Sequence, residues 1–478
     1  MPALEARSFD GGTVRLEAAD LESLASRLEG ELLTPSAPDY DEARAVWNGM
    51  IDRRPAVVVR CAGTEDVRRA VDFVRDRDLL VAVRGGGHNI AGSAVCDGGL
   101  VIDLSRMSRV RADPDARRAT VGPGATLGDF DRAAQRHGLA TPLGINSTTG
   151  VAGLTLGGGF GWLTRKHGMT IDNLRSTEVV TLEGEVIRAD DEENADLFWA
   201  LRGGGGNFGI VTSFEFELHP VGPGVWSGLV VYSLADAPDV LRRWRDFAEE
   251  APEEVSVWAI MRPAPPLPFL SEEDHGRNVL ALAVFAGGDP EDGRRATAPV
   301  TRFGEPLGQH LGVQPYADFQ TAFDPLLTPG ARNYWKTHDF ADLPDEALDE
   351  AVRRAAEAPT PHCEVFFGQV GGAMGRVPPE ATAYTGRDAR YVMNVHGRWE
   401  TPEEDDRVVA WTRRAYRAME PFATGGGYVN FMTEDEADRV RLAYGGNYAR
   451  LARIKREYDP RNQLRTNMNI RPAPSPAA

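Results

Sequence analysis

The run Arg84-Gly85-Gly86-Gly87-His88-Asn89 joins a glycine cluster to an imidazole, directly after the apolar stretch 79–83. This pattern predicts a buried strand that ends in a loop. Because glycine has no Cβ, the N–H groups of such a loop can surround an anion. An imidazole is both a base and a nucleophile. These residues therefore indicate a cofactor that is held by its phosphates and attached through His88.

Two further glycine clusters follow. The segment 144–161 contains Gly144, Gly150, Gly153 and the triplet Gly157-Gly158-Gly159. We expect this density to be too destabilising for the inside of a regular helix or strand, so the backbone is predicted to pack on a flat or phosphorylated group. The third cluster, 203–209, matches G-x-G-x-x-G, but a predicted helix precedes it and a predicted strand follows it. That order is the reverse of a nicotinamide-binding Rossmann site.

Composition excludes several classes of function. The 478 residues carry a formal net charge of −18, which argues against nucleic-acid binding. No apolar run approaches the roughly 20 residues of a membrane-spanning helix, and the N-terminal stretch lacks the pattern of a signal peptide. We therefore expect a cytoplasmic protein without membrane association. P-loop, H-E-x-x-H and G-x-S-x-G motifs are absent from the sequence.

Cysteine and histidine placement predicts no metal site, because Cys61, Cys96 and Cys363 are far apart and the nine histidines are dispersed. Cys96 lies near His88 in the sequence, which leaves a catalytic thiol open. A small buried side chain is the more common role of an isolated cysteine.

The sequence changes character after Pro220, where longer predicted strands alternate with helices. Strands are predicted at 226–232, 255–261, 279–284, 363–370 and 391–399, and helices at 237–249, 345–356 and 403–419. This pattern predicts a second α+β domain with an antiparallel sheet and helices on one face. The proline-rich segment 263–270 is predicted to be an exposed loop, and 472–478 to be disordered.

Three glycine clusters and the glycine-led segment Gly425-Gly426-Gly427-Tyr428 fit FAD better than a lone phosphate, since FAD needs several loops along its length. Each cluster alone is equally compatible with tight turns. Together with the ending 448–470, these segments resemble the berberine-bridge-enzyme-like FAD-linked oxidases of the p-cresol methylhydroxylase / vanillyl-alcohol oxidase superfamily. The pattern is most similar to bacterial 6-hydroxynicotine oxidase-like proteins.

The resemblance implies an α+β, two-domain FAD-binding fold of the p-cresol methylhydroxylase type. Residues 1–220 would begin the FAD-binding domain, 221–424 would form an antiparallel-sheet substrate domain, and 425–478 would return to the FAD-binding domain. By the same resemblance, His88 bonds covalently to the flavin. Asn146 stands where doubly linked members have a cysteine, which implies a single link. The remaining residues implied for FAD binding are Arg84, Gly85, Gly86, Gly87, Asn89, Gly92, Ser93, Gly144, Thr149, Gly150, Gly153, Leu156, Gly157, Gly158, Gly159, Gly209, Ile210, Asn467 and Asn469.

Tyr428 matches a tyrosine that acts as the catalytic base in several members of the family. A phenol with a pKa near 10 needs help to accept a proton at neutral pH, and Lys336 is one candidate cation. The alternative is that Tyr428 only packs at the domain junction. Thr149 matches a position that controls oxygen access in the family. Candidate substrate-pocket residues, which are equally compatible with an ordinary sheet surface, are Trp335, Lys336, Glu364, Gln369, Asn394, His396 and Asn430.

The resemblance implies an FAD-linked oxidase that transfers a hydride from a small-molecule alcohol, sugar or cyclic amine to N5 of the flavin and reduces O₂ to H₂O₂. Two alternatives stay open: a dehydrogenase with another electron acceptor, and a flavin-containing protein that binds a small molecule or confers resistance to it without turnover. A sugar, an alkaloid, a polyketide glycoside and a simple alcohol are all compatible substrates, because fold does not fix function.

Overall fold

The computed structural model describes residues 2–474. The segment 472–478 was expected to be disordered, and its last four residues lie outside the described part.

The first 220 residues form short strands and helices around two larger sheets. In chain order these are β1 Leu4–Arg7, β2 Thr13–Leu16, α1 Ala18–Ala25, β3 Glu31–Leu33, α2 Tyr40–Arg44, β4 Val57–Arg60, α3 Thr64–Asp76, β5 Val81–Arg84, β6 Leu100–Asp103, β7 Val110–Asp113, β8 Arg118–Val121, α4 Leu127–Gln135, β9 Leu139–Ala140, α5 Val151–Leu156, α6 Thr164–His167, β10 Leu174–Val180, β11 Val186–Ala189, α7 Ala195–Leu201, β12 Ile210–Glu217 and β13 His219–Pro220.

The next part of the chain has longer elements, and two helices follow near the C-terminal end. These elements are β14 Gly224–Ser233, α8 Ala237–Glu250, β15 Val255–Pro263, β16 Asn278–Ala286, α9 Pro290–Thr297, β17 Gly308–Pro315, α10 Tyr316–Gln320, β18 Arg332–Phe340, α11 Asp345–Ala356, β19 Glu364–Gln369, α12 Ala373–Arg376, β20 Tyr391–Trp399, α13 Asp405–Met419, α14 Val440–Tyr444 and α15 Tyr448–Tyr458.

Two sheets build the N-terminal part. One has the order β3-β4-β6-β5, in which β6 runs parallel to both β4 and β5; the other is antiparallel in the order β11-β10-β12-β8-β7. Helix α3 buries Val67, Ala70, Val71 and Val74, the spacing that indicates one helical face. The first glycine cluster follows β5 directly, as the sequence predicts, so its loop emerges from the carboxyl end of a buried parallel strand.

A seven-stranded antiparallel sheet dominates the second part, in the order β17-β14-β16-β15-β19-β20-β18. Helices α8, α11 and α13 cover one face, where Trp244, Trp399 and Trp411 are buried. Strand alternation turns the other face toward the glycine clusters. Every side chain of that open face can therefore contribute to a site between the two parts.

The structure corrects several local expectations. Strands β17 and β18 were not predicted from the sequence. The second glycine cluster contains a true helix, α5, with Gly153 inside it. The expectation that glycine density excludes a helix there was wrong, because tertiary packing overrides a propensity of about 1 kcal/mol.

Candidate active site

A cavity of about 620 Å³ lies between the glycine clusters and the open face of the seven-stranded sheet. Residues from all three glycine clusters line one side, and residues of β14, β15, β16, β18, β19 and β20 line the other. The segments 428–431 and 466–468 complete the wall. The cavity thus unites the motifs that sequence reasoning treated separately.

The first two glycine clusters touch through their backbones. A Cβ at Gly86 would lie 2.6 Å from Cα of Gly150, so only glycine permits this approach. In contrast, a Cβ at Gly153 would meet no atom within 4 Å, and one at Gly206 would meet only Asn467 Nδ2, at 3.9 Å. Both residues line the cavity. Their bare backbone therefore forms an open cradle of the kind that a large cofactor needs.

Buried polar atoms on this side of the cavity lack partners in the described structure. They are His88 Nε2, Tyr444 Oη and Asn467 Oδ1. Buried polar groups are normally hydrogen-bonded, so these atoms indicate that a polar ligand completes the site. An elongated cofactor with phosphates and a heteroaromatic ring, such as FAD, fits both the open backbone and the unpaired atoms.

His88 is buried and stacks on Trp47, with ring centroids 4.3 Å apart and 21° between the ring planes. The Arg398 guanidinium lies 5.2 Å from the centroid of the same indole. Burial, helped by the positive charge of Arg398, lowers the pKa of His88 to about 3. The imidazole is therefore neutral at pH 7, the state in which its nitrogen is nucleophilic.

The Tyr428 hydroxyl accepts two hydrogen bonds, from Gly159 N at 3.0 Å and from Asn430 Nδ2 at 2.9 Å. Burial raises the pKa of Tyr428 to about 12, and these two donors oppose the rise. Two N–H groups thus take the place of the cation that the sequence analysis expected beside the phenol. Such donors stabilise a phenolate in the way that an oxyanion hole stabilises developing negative charge.

Lys336, the cation suggested from the sequence, has hydrogen-bond and ion-pair partners other than Tyr428. Its Nζ donates to Thr433 Oγ1 at 2.9 Å and to Asp435 Oδ1 at 2.8 Å, and it lies 3.0 Å from Glu436 Oε2. The neighbouring Trp335 lines the cavity, and successive side chains of a strand point to opposite faces. Lys336 therefore secures the segment after Tyr428 instead of contacting substrate.

A polar row crosses the open face of the sheet. The register sets Trp335 opposite His396, and His396 opposite Glu364. Glu364 Oε2 accepts from Arg262 Nη1 at 2.8 Å, and Glu364 Oε1 lies 3.2 Å from His396 Nδ1. Burial alone would raise the pKa of Glu364, but Arg262 and His396 lower it to about 2. Glu364 is thus a carboxylate whose charge Arg262 balances.

Seven predicted site residues lie outside the cavity wall: Arg84, Gly92, Gly158, Gly159, Lys336, Gln369 and Asn469. Gln369 faces the helices because of strand alternation, where it accepts from Val257 N and donates to Ala248 O. Arg84 turns away and donates to the Ala43 carbonyl.

The other exceptions have local reasons. Gly92 packs on Ile51, and Gly158 packs on Met169. Gly159 donates a hydrogen bond to the Tyr428 hydroxyl, and Tyr428 itself lines the cavity. Asn469 directly follows Met468, the last residue of the segment 466–468 that lines the cavity. All remaining predicted site residues line the cavity.

Sequence reasoning missed Trp47, Arg262, Arg398 and Lys455. No local motif distinguishes the first three from ordinary strand or loop residues. Lys455 is one of three lysines in the chain, and that rarity could have drawn attention to it. Its Nζ is fully buried and donates to Asn207 O at 2.8 Å, to Leu464 O at 2.9 Å and to Asp459 Oδ2 at 2.6 Å. It ties the third glycine cluster to the C-terminal segment.

Residues 2–474 contain neither a candidate metal centre nor a candidate membrane-spanning helix. Within that range, no cluster of three or more His, Cys, Asp or Glu side chains has a metal-binding arrangement. None of the helices there is both long and apolar enough to span a bilayer.

Comparison with known proteins identifies the family. Residues 55–190 match the FAD binding domain model, and residues 427–471 match the model for berberine and berberine-like proteins. An uncharacterized FAD-linked oxidoreductase of Bacillus subtilis is 31% identical over 94% of this chain and 98% of its own length. (R)-6-hydroxynicotine oxidase of Paenarthrobacter nicotinovorans is 29% identical over 93% of this chain and 97% of its own.

A solved structure of 6-hydroxy-D-nicotine oxidase from Arthrobacter nicotinovorans has the same fold, with a TM-score of 0.84 and 27% identity over 93% of this chain and 98% of that one. The glycine clusters, the cavity and these similarities over nearly the whole length agree, and the chain belongs to the berberine-bridge-enzyme-like family of FAD-linked oxidoreductases.

Proposed function

We propose that the protein is an oxidase whose FAD is attached by one covalent bond to His88, and that it oxidises a small-molecule alcohol or amine with O₂ as the electron acceptor. The observation that carries the proposal is that His88 and Tyr428 line the same cavity. The His88 imidazole is neutral, and the Tyr428 hydroxyl accepts hydrogen bonds from two N–H groups. The 6-hydroxynicotine oxidase relative supports oxygen as the acceptor.

Cofactor attachment uses the neutral state of His88. Trp47 stacks on the imidazole and fixes its plane, while burial keeps the ring unprotonated. Asn146 lines the cavity, and its Oδ1 accepts from Thr148 N at 3.0 Å. An amide at this position cannot supply a second, thioether bond. Attachment through His88 alone follows.

Substrate oxidation requires removal of a proton from the substrate O–H or N–H. Tyr428 takes this proton, and the Gly159 and Asn430 donors hold the phenol oxygen in place and stabilise its negative charge. FAD held by the glycine clusters would supply the acceptor for the hydride from the adjacent carbon, and the hydride together with the proton taken by Tyr428 would provide the two hydrogens of H₂O₂ when O₂ accepts the electron pair. Lys336, Asp435 and Glu436 fix the segment that carries Tyr428.

The test uses purified protein. We expect a yellow protein that stays yellow after acid precipitation, and a His88→Ala variant that releases its flavin into the supernatant. A colourless wild-type pellet would refute the covalent bond. After anaerobic photoreduction, oxidation by air within seconds with release of H₂O₂ supports the oxidase, whereas slow oxidation by air and fast oxidation by a quinone would identify a dehydrogenase.

A further inference from the structure

The sheet side of the cavity differs in chemistry from the glycine-cluster side. Leu229, Val231, Ile260, Ala281 and Phe366 come from four adjacent strands of the open face and line the cavity. Their side chains alternate with residues that face the helices, as the registers of β14, β16, β15 and β19 require. The centre of this wall is therefore continuously hydrophobic.

Two loops extend the hydrophobic wall beyond the sheet. Pro265, Pro266 and Leu267 line the cavity from the segment that the sequence analysis expected to be an exposed loop. Phe323 and Leu326 line it from the segment between α10 and β18. The segment 263–270 is a loop with Pro266 and Pro268 exposed, as expected, but its Ala264 and Leu270 are buried.

Charged groups on this wall neutralise each other. Arg262 and Glu364 form a buried ion pair at 2.8 Å, and the carboxylate also contacts His396. No other Asp, Glu, Lys or Arg of the described residues lines the cavity. A charged substrate would therefore lose its hydration without gaining an unpaired counter-ion. Asn394, whose Oδ1 has no hydrogen-bond partner, is a neutral anchor at the edge of the hydrophobic area.

From these contacts we propose that the substrate is an uncharged molecule with a predominantly apolar body, and not an oligosaccharide. The inference rests on the proposed oxidase function and narrows its substrate class. A sugar placed against this wall would bury several hydroxyl groups without partners, and each such group lowers affinity on the order of five- to a hundredfold. An apolar body gains affinity from the same surface.

Binding to the flavin-loaded protein tests this directly, because it needs no turnover. The probes are 2-naphthalenemethanol, its charged analogue 2-naphthoate, and cellobiose, and the readout is the change in the visible flavin spectrum. We expect 2-naphthalenemethanol to bind at least tenfold more tightly than either of the others. Equal or tighter binding of cellobiose or 2-naphthoate, or no binding of 2-naphthalenemethanol up to its solubility limit, overturns the proposal.

A matched pair of variants tests whether the hydrophobic wall causes the tighter binding of 2-naphthalenemethanol. Ile260→Asn places an amide in the centre of the hydrophobic area and should weaken binding of 2-naphthalenemethanol about tenfold. Val313→Asn changes an exposed side chain on the edge strand β17 of the same sheet and should leave binding unchanged. Unaltered binding by Ile260→Asn contradicts the proposal, provided that the flavin content of the variant matches the wild type.

The proposed oxidase function and the proposed substrate class can be refuted independently of each other. If 2-naphthalenemethanol binds as expected but no alcohol or amine bleaches the flavin anaerobically, the substrate class stands and the oxidase function is refuted. If cellobiose both binds and bleaches the flavin while the naphthyl probe does neither, the oxidase function stands and the inference about substrate class is refuted.

Discussion

Substitution of Lys455 by methionine tests whether one buried ion pair holds the C-terminal segment to the third glycine cluster. Lys455 and Asp459 are both fully buried and 2.6 Å apart. Methionine fills a similar volume, but it leaves the Asp459 carboxylate without a cation. Removing one partner of a buried pair costs about 3–5 kcal/mol. Because Asp459 also accepts hydrogen bonds from Gln463 N and Leu464 N, we expect the lower end, about 3 kcal/mol.

The assay is thermal unfolding with flavin release as a second readout. For an FAD-binding part of about 270 residues, the entropy of unfolding is about 0.6 kcal/mol/K, so a loss of 3 kcal/mol lowers the melting temperature by about 5 °C. Lys455→Met should also release the flavin more readily if attachment is incomplete, because Asn467 would lose its fixed position. In the control Arg453→Met, the altered side chain is exposed on the same helix, and a shift below about 1 °C is expected. Equal melting temperatures for Lys455→Met and the wild type would refute the reasoning.

Three other outcomes are expected. Tyr428→Phe should lower kcat/KM by about 10²–10⁴-fold with little change in ligand binding. In the wild type, kcat/KM should rise up to tenfold per pH unit from pH 7 to 10, because burial raises the pKa of Tyr428 to about 12; a plateau below pH 8 would contradict this raised pKa for the base. Trp47→Leu should reduce the fraction of flavin that stays with the acid precipitate while FAD still binds, because His88 loses the ring that fixes its plane; complete attachment would show that stacking is dispensable. Burial raises the pKa of Asp131 to about 7 from the ordinary 3.8, so the wild type loses up to about 4 kcal/mol of stability as pH rises from 4 to 7. Asp131→Asn should therefore melt above the wild type at pH 8 and close to it at pH 4, and equal melting temperatures at pH 8 would contradict the shift.

Much of the cofactor side could be predicted from the sequence, because its signals are local. A glycine cluster directly after an apolar strand indicates a loop with exposed N–H groups wherever the rest of the chain lies, and His88 is part of that loop. The strands predicted at 226–232, 255–261 and 279–284 are mostly apolar, with Ser227 and Ser256 as exceptions, and the structure has β14, β15 and β16 there. Local composition therefore determined the FAD-binding loops and most of the large sheet.

The substrate side depended on tertiary structure, because a buried strand with both faces covered shows no polar alternation. Nothing in the sequence of β19 distinguishes Glu364, which lines the cavity, from Gln369, which faces the helices. Only the register with β15 and β20 decides this.

The groups that surround the Tyr428 hydroxyl likewise depended on the tertiary structure. Its donor Gly159 belongs to the second glycine cluster, in a distant part of the chain, while Lys336 is committed to Asp435 and Glu436. The sequence by itself determined the family and the cofactor, and it predicted the candidate reactive groups. The three-dimensional packing decided which of these groups meet, because hydrogen bonds and ion pairs act over about 3 Å and sequence spacing carries no information about such distances between remote segments.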